Sequence, residues 1–233
     1  MKRLVLLFCV VIFGLSACSS ITKESLSAYL ESAASEAKSQ PVNSVTNISK
    51  GLYSYYLPTS IGRKASTETS NILTSNNVNI LMNLDVIDVI SDSYYDTVSK
   101  TETFKSMLSK SKDLITFDGS YSDSADKTVS YRVSILYVNE SMILLTLEAG
   151  YFMFTAITPI SVSDEILYDM IRIARSCVVD SAAVLLSYST RESIDYKKET
   201  IDMFSQIAPE SGTVLDMISG GKPIDIPEEN QPQ

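Results

Sequence analysis

The sequence predicts an α+β fold: a mainly antiparallel sheet with helices packed on one face, an N-terminal helix ahead of it and C-terminal helices behind it. Three observations predict it. Residues 128–138 alternate, with Val129, Tyr131, Val133, Ile135 and Tyr137 set against Ser130, Arg132 and Ser134, the period of a half-buried strand. Short, turn-rich breaks separate this segment from further strand-like runs on both sides. After residue 160 the period lengthens to that of helices, and strands followed by helices imply α+β layering.

The elements follow in order. Leu26, Tyr29, Leu30, Ala33 and Ala37 share one stripe, with Glu24 in the first turn and Lys38 in the last, so 22–38 is the first helix. Pro41 and small polar residues make 39–49 a loop. A strand over 52–57 stops at Pro58. Segments 68–74 and 78–84 flank Ser75-Asn76-Asn77 and form a hairpin, because asparagine tolerates the left-handed backbone a tight turn needs. Short helices are expected over 86–98 and 103–112. Strands then run over 114–121, 128–138, 142–148 and 151–157, with turns at Asn139-Glu140 and Ala149-Gly150; the last run is almost wholly apolar and reads as a central strand.

Ser161-Val162-Ser163-Asp164 opens a helix with a serine cap and acids in its first turn. Leu167, Ile171, Ala174 and Val178 form one row along it, and Ile166, Met170, Ile173 and Cys177 the next. A strand is expected over 182–189, helices over 194–207 and 214–218, and a disordered tail from about residue 220. The helix–strand–helix order after residue 160 resembles, in element order alone, the PsbP/Mog1 type of lipoprotein and thylakoid domain.

Composition narrows the function classes. The chain has no histidine, so Ser-His-Asp and Cys-His catalysis, imidazole metal sites and histidine pH switches are excluded. Its formal charge is −9, which argues against nucleic acid and against a domain lying on anionic lipid.

The N-terminus carries an address. Lys2-Arg3, an apolar run from Leu4 to Leu15, and Ser16-Ala17-Cys18 make the three parts of a secretory signal. Twelve apolar residues span about 18 Å as a helix, short of the roughly 30 Å of a bilayer's hydrocarbon core. Leu15-Ser16-Ala17-Cys18 resembles the lipobox of bacterial lipoproteins. The resemblance implies cleavage before Cys18, a diacylglyceryl thioether on its sulfur, and often a further acyl chain on the new α-amino group. It also implies a lipid-anchored, extracytoplasmic location on the cell membrane or outer membrane; Ser19, in place of an aspartate, permits onward sorting. The expected organisation is a signal peptide over 1–17, lipid anchor, first helix and loop over 18–49, one α+β domain over 50–219 and a tail over 220–233. Removing 1–17 takes away Lys2, Arg3 and Cys9, leaving 17 basic residues against 28 acidic, a charge of −11. Cys177 is then the one thiol besides Cys18, expected buried and inert, and no internal disulfide or cysteine metal site can form.

Candidate constellations are few. Ser-x-x-Lys occurs at Ser20–Lys23, Ser35–Lys38, Ser109–Lys112 and Ser124–Lys127, without the Ser-Asp-Asn and Lys-Thr-Gly companions of penicillin-binding enzymes. Asp118, Asp123 and Asp126 around Gly119 do not space as an EF-hand and read as a solvated turn. Tyr53, Tyr55, Tyr56, Tyr94 and Tyr95 either form an aromatic platform or pack in the core, and in a strand Tyr56 faces away from the first two. Gly212 to Gly221 lacks the spacing of a phosphate loop. The reading expected from the sequence is a non-enzymatic, lipid-anchored envelope protein working by protein contacts, without a cofactor or catalytic residue. The membrane, through Cys18, and an envelope protein are its partners. The alternatives are a ligand- or glycan-binding module and a hydrolase built on paired carboxylates.

Overall fold

The computed structural model describes residues 23–94 and 114–188. In chain order these form helix α1 (Lys23–Ser39), short strands β1 (Ile48–Ser49) and β2 (Tyr53–Tyr55), strands β3 (Gly62–Ser66), β4 (Ser70–Ser75) and β5 (Val78–Leu84), and helix α2 (Val86–Tyr94). Strands β6 (Ile115–Ser122), β7 (Thr128–Tyr137), β8 (Met142–Ala149) and β9 (Phe152–Pro159) follow, then helix α3 (Ser163–Ala174), strand β10 (Val178–Val179) and helix α4 (Ser181–Tyr188).

The expected α+β architecture is present. Seven strands pair antiparallel in the order β3-β4-β5-β9-β8-β7-β6, with the apolar β9 in the middle place. Turn chemistry fixes the register. Asn76 and Asn77 both take positive φ (48° and 61°), making a two-residue turn between Ser75 and Val78. Gly150 (φ 57°) turns β8 into β9. Asp123 Oδ1 accepts the backbone N–H of Ala125 and of Lys127, at 2.8 and 2.9 Å, and so closes β6 onto β7.

This register lines one face with Leu73, Ile80, Phe154, Leu147 and Val133, all fully buried. Leu26 and Leu30 of α1, with Ile166, Met170 and Ile173 of α3, complete that core. Each such side chain contributes about 1.5–3 kcal/mol by leaving water. The centre of the opposite face is buried too: Leu81, Leu144, Thr146 and Thr155 are at most 1% exposed. The edges are blunted, β3 by a register shift between Arg63 and Ala65 and by its charged, exposed residues, β6 by exposed Thr116, Asp118 and Ser120. Gly119 leaves room for a ring: a Cβ there would lie 2.4 Å from Tyr131 Cζ, and Tyr131 stacks on Tyr121.

Helices α1 and α3 lie side by side and run parallel. Tyr29, in the second turn of α1, lies beside Asp164 at the start of α3, and Arg175 reaches the carbonyls of Ala37 and Gln40 at their ends, at 2.7 and 2.8 Å. The guanidinium also donates to Ser122 O at the end of β6 (3.3 Å). Arg175 is buried with backbone oxygens as its recorded acceptors, so it acts as a C-cap for α1 and a tie to the sheet. With its apolar stripe in the core, α1 is part of the body rather than a spacer beneath it.

Three expectations need correction. The helix expected over 161–178 ends at Ala174, because Ser176 N and Cys177 N turn back three residues, to Ile173 O and Ala174 O. It also lacks the serine cap: a 3₁₀ turn, Ile160–Val162, precedes it, Val162 makes no side-chain bond, and Ser163 Oγ donates to Ile160 O. The expected strand over 182–189 is helix α4 instead. Asp180 caps it, Oδ1 accepting from Ala183 N (3.0 Å) and the carbonyl from Val184 N, so the strand falls earlier, on the β-branched pair Val178–Val179. Strands β1 and β3 are additional; neither alternates in a way the sequence reveals.

Candidate functional site

Two concavities lie against the α1–α3 pair. The first is a groove of about 380 Å³ beside the second half of α1 and the first half of α3, lined by Glu36, Ser75, Asn76, Asp164, Glu165 and Asp169. It gathers carboxylates, as a hydrolase would, but two of the α3 acids hold donors from the β4–β5 turn. Ser75 Oγ donates to Asp169 Oδ2 at 2.6 Å and Asn76 Nδ2 donates to Glu165 Oε2, while Asp164, beside the Tyr29 phenol, keeps a buried Oδ1 without a partner among the described residues. The bond to Asp164 and partial burial push the Tyr29 phenol up to about 12. Burial pushes the Asp169 carboxyl above the ordinary carboxylate range, against the pull of Ser75 and Arg172. These bonds clamp the β4–β5 turn and α1 onto α3.

The second concavity is a cleft of about 430 Å³ where the helices end. The strand ends of β6, β7, β8 and β9 supply its floor, with Tyr121, Val129, Ala149 and Phe152; β10 forms one wall with Val178 and Val179. Asp88 and Asp92 of α2 and Asp123 of the β6–β7 turn bring negative charge to it, and Lys127 is the basic residue that lines it among the described residues. Tyr151 donates its hydroxyl to Asp92 Oδ2 (3.0 Å); burial, then that bond, raises its phenol. Burial alone dominates for Tyr121, whose phenol is held well above its usual range.

Cys177 lines this cleft as a half-buried residue, and its thiol points inward, donating to Ile173 O at 3.3 Å. Burial pushes the thiol far above its ordinary value, so it stays protonated and unreactive. Lys50 is the other perturbed base: burial holds its ammonium down to about 8. Its donors go to Tyr53 OH, Thr67 O and Ser70 O, which makes it a tie between β2 and the β3–β4 turn.

The structure separates the other residues the sequence singled out. Tyr53 and Tyr55 share a face and are buried in the core, Tyr53 edge-on to Phe152, while Tyr56 faces the other way and is half-buried. They form no surface platform. Asp118 pairs with Arg132 across β6 and β7 at 2.7 Å on the exposed face, Asp123 holds its own turn, and Asp126 sits at its positive-φ position. Lys38 lies over the Tyr131 ring, 5.6 Å from its centroid, while Ser124–Lys127 is part of the β6–β7 tip. Cys18, Ser20, Tyr95, Ser109–Lys112, Gly212 to Gly221 and the segments expected as helices over 103–112, 194–207 and 214–218 lie outside the described residues. Sequence reasoning missed the cleft because its walls come from four separated segments, 88–92, 121–129, 149–152 and 174–181. The one local signal was the Asp-rich 123–126 turn opposite Ala149-Gly150.

Among the described residues no helix is long and apolar enough to cross a membrane. Compared with protein-family models and with curated proteins, the chain matches none.

Proposed function

We propose that this chain is a lipid-anchored extracytoplasmic protein of the bacterial envelope that acts by binding a partner, with no reaction of its own. The observation that carries the binding reading is the occupation of the groove acids. Glu165 and Asp169 hold Asn76 and Ser75 and so tie the β4–β5 turn to α3, whereas glycosidic chemistry needs one carboxyl free to protonate and a second free to attack or to activate water. The lipid reading rests on Leu15-Ser16-Ala17-Cys18 behind its apolar run. Two or more acyl chains, at about 0.8 kcal/mol per buried methylene, anchor a protein stably.

A second reading, a module for a small ligand, is favoured by one feature. The cleft's volume falls within the roughly 300–1,000 Å³ of small-molecule sites, and Tyr121, Tyr151 and Phe152 supply aromatic surface.

Metabolic labelling with a fatty acid analogue tests the anchor. The wild-type chain should incorporate label and the Cys18→Ala chain should not; label persisting in Cys18→Ala contradicts the assignment.

A further inference from the structure

We infer that the second face of the sheet, opposite α1 and α3, is a docking surface for the chain's own C-terminal run, residues 189–219, which covers it across β4, β5 and β9. Strand register sets the patch. Ser70 stands opposite Asn83 and Asn83 opposite Met153; two residues along, Ile72 stands opposite Leu81 and Leu81 opposite Thr155. Side chains alternate along a strand, so these six point away from the core built on Leu73, Ile80 and Phe154. All six are nonetheless 6% exposed or less. Among the described residues, α1 and α3 pack on the other face and α2 packs on α4. The cover therefore comes from elsewhere in the chain.

Three stretches lie outside the described residues, and position chooses between them. Residues 1–22 lead into α1, on the other face. Residues 95–113 lead to β6, four strands from β5 and about 19 Å away at the far edge of the sheet, so their path runs away from β4. The C-terminal run starts where the patch starts: Tyr188 donates its hydroxyl to Glu68 Oε2 at 2.8 Å, and Glu68 stands two residues before Ser70. Its sequence has the surface to match. Ile194, Ile201, Phe204 and Ala208 recur on one side of a helical period, with Asp195, Glu199 and Asp202 on the other. As a helix, 194–207 is about 21 Å long, close to the roughly 23 Å of the seven residues of β5. Val214, Leu215 and Ile218 extend the apolar surface, and the chain turns polar soon after. The sheet then carries a helical layer on each side, and this inference holds with or without the lipid anchor.

Photo-methionine incorporated into the full chain tests it, because Met153 lies in the patch. On irradiation, intramolecular cross-links from residue 153 should fall within 189–219. Cross-links from it only to 95–113, only to a second copy, or to nothing overturn the inference. Alkylation of Thr155→Cys in the Cys18→Ala chain gives an independent measure; the Thr155 hydroxyl has no partner among the described residues, so the exchange breaks no bond. The new thiol should react slowly, and about tenfold faster or more when Ile201→Asp and Phe204→Asp are added. Cys177 should stay slow throughout, reporting that α1 and α3 keep their packing. Fast reaction without the aspartates overturns the inference, and so does acceleration by Phe104→Asp with Met107→Asp in their place. Should the Ile201→Asp, Phe204→Asp chain fail to fold, the cross-links of the unsubstituted chain still decide.

Discussion

Both concavities are acidic, and the surface around their carboxylates differs. In the groove beside the first half of α3, Glu165 and Asp169 hold Asn76 and Ser75 and clamp the β4–β5 turn to the helix. In the cleft where the helices end, Asp88, Asp92 and Asp123 stand around aromatic and aliphatic surface. An acidic cluster therefore says little about chemistry until its donors are counted. In the cleft too, Asp92 holds the Tyr151 hydroxyl and Asp123 the backbone of its own turn, so the two concavities differ in the aromatic and aliphatic surface around the acids rather than in free charge.

The largest expected effect comes from the residue that joins the helices to the sheet. Arg175→Ala leaves the carbonyls of Ala37 and Gln40 without their donor, and should cost about 3 kcal/mol, read as the urea midpoint at unchanged m. In the groove, Asp169→Ala should cost roughly 1–3 kcal/mol by orphaning the buried Ser75 hydroxyl and opening a void.

Asp169→Asn sharpens the comparison, because it keeps an acceptor for Ser75 and removes a buried charge. The folded-state pKa of Asp169 is raised, so between the ordinary carboxylate value and that raised value the native chain holds a proton the unfolded chain has released. Its contribution to stability is therefore present at acid pH and is lost as pH rises through that window. Asp169→Asn should melt higher than wild type at neutral pH, and the gap should close as pH falls to 4. A gap that widens on acidification contradicts the assignment.

The cleft should behave in the opposite way. Cys177 should alkylate slowly in the native chain and quickly once unfolded, because its thiol is buried and protonated. Fast native alkylation places it at the surface instead. Smallest of all, Tyr151→Phe removes a bond on the exposed side of α2 and should change stability by no more than about 0.5 kcal/mol.

Much of the sheet was legible in the sequence, for local reasons. Strands β5, β7, β8 and β9 carry alternating or continuous apolar runs, and their turns use Asn76, Asn77, Asp123, Asn139 and Gly150 in conformations those residues favour. β3 carried no such signal, since all five residues are exposed and its pairing depends on β4. Helix α4 was misread because Ala182 to Ser187 is apolar enough for a strand, and the deciding feature was the cap, Asp180. The tyrosine cluster resolved by strand parity, as Tyr53 and Tyr55 turned inward together. The groove and cleft were not legible, because each joins residues from segments far apart in the chain and no spacing rule connects them.

The central claim is that this protein works through its cleft and only folds through its groove. Complementation of a deletion strain tests it most directly, comparing Asp169→Asn with a cleft variant carrying Tyr151→Ala and Asp92→Ala at matched cellular levels. The account predicts full complementation by Asp169→Asn and failure by the cleft variant despite normal folding. A folded Asp169→Asn protein that fails, beside a cleft variant that succeeds, would make the groove carboxylate a working acid and contradict the account.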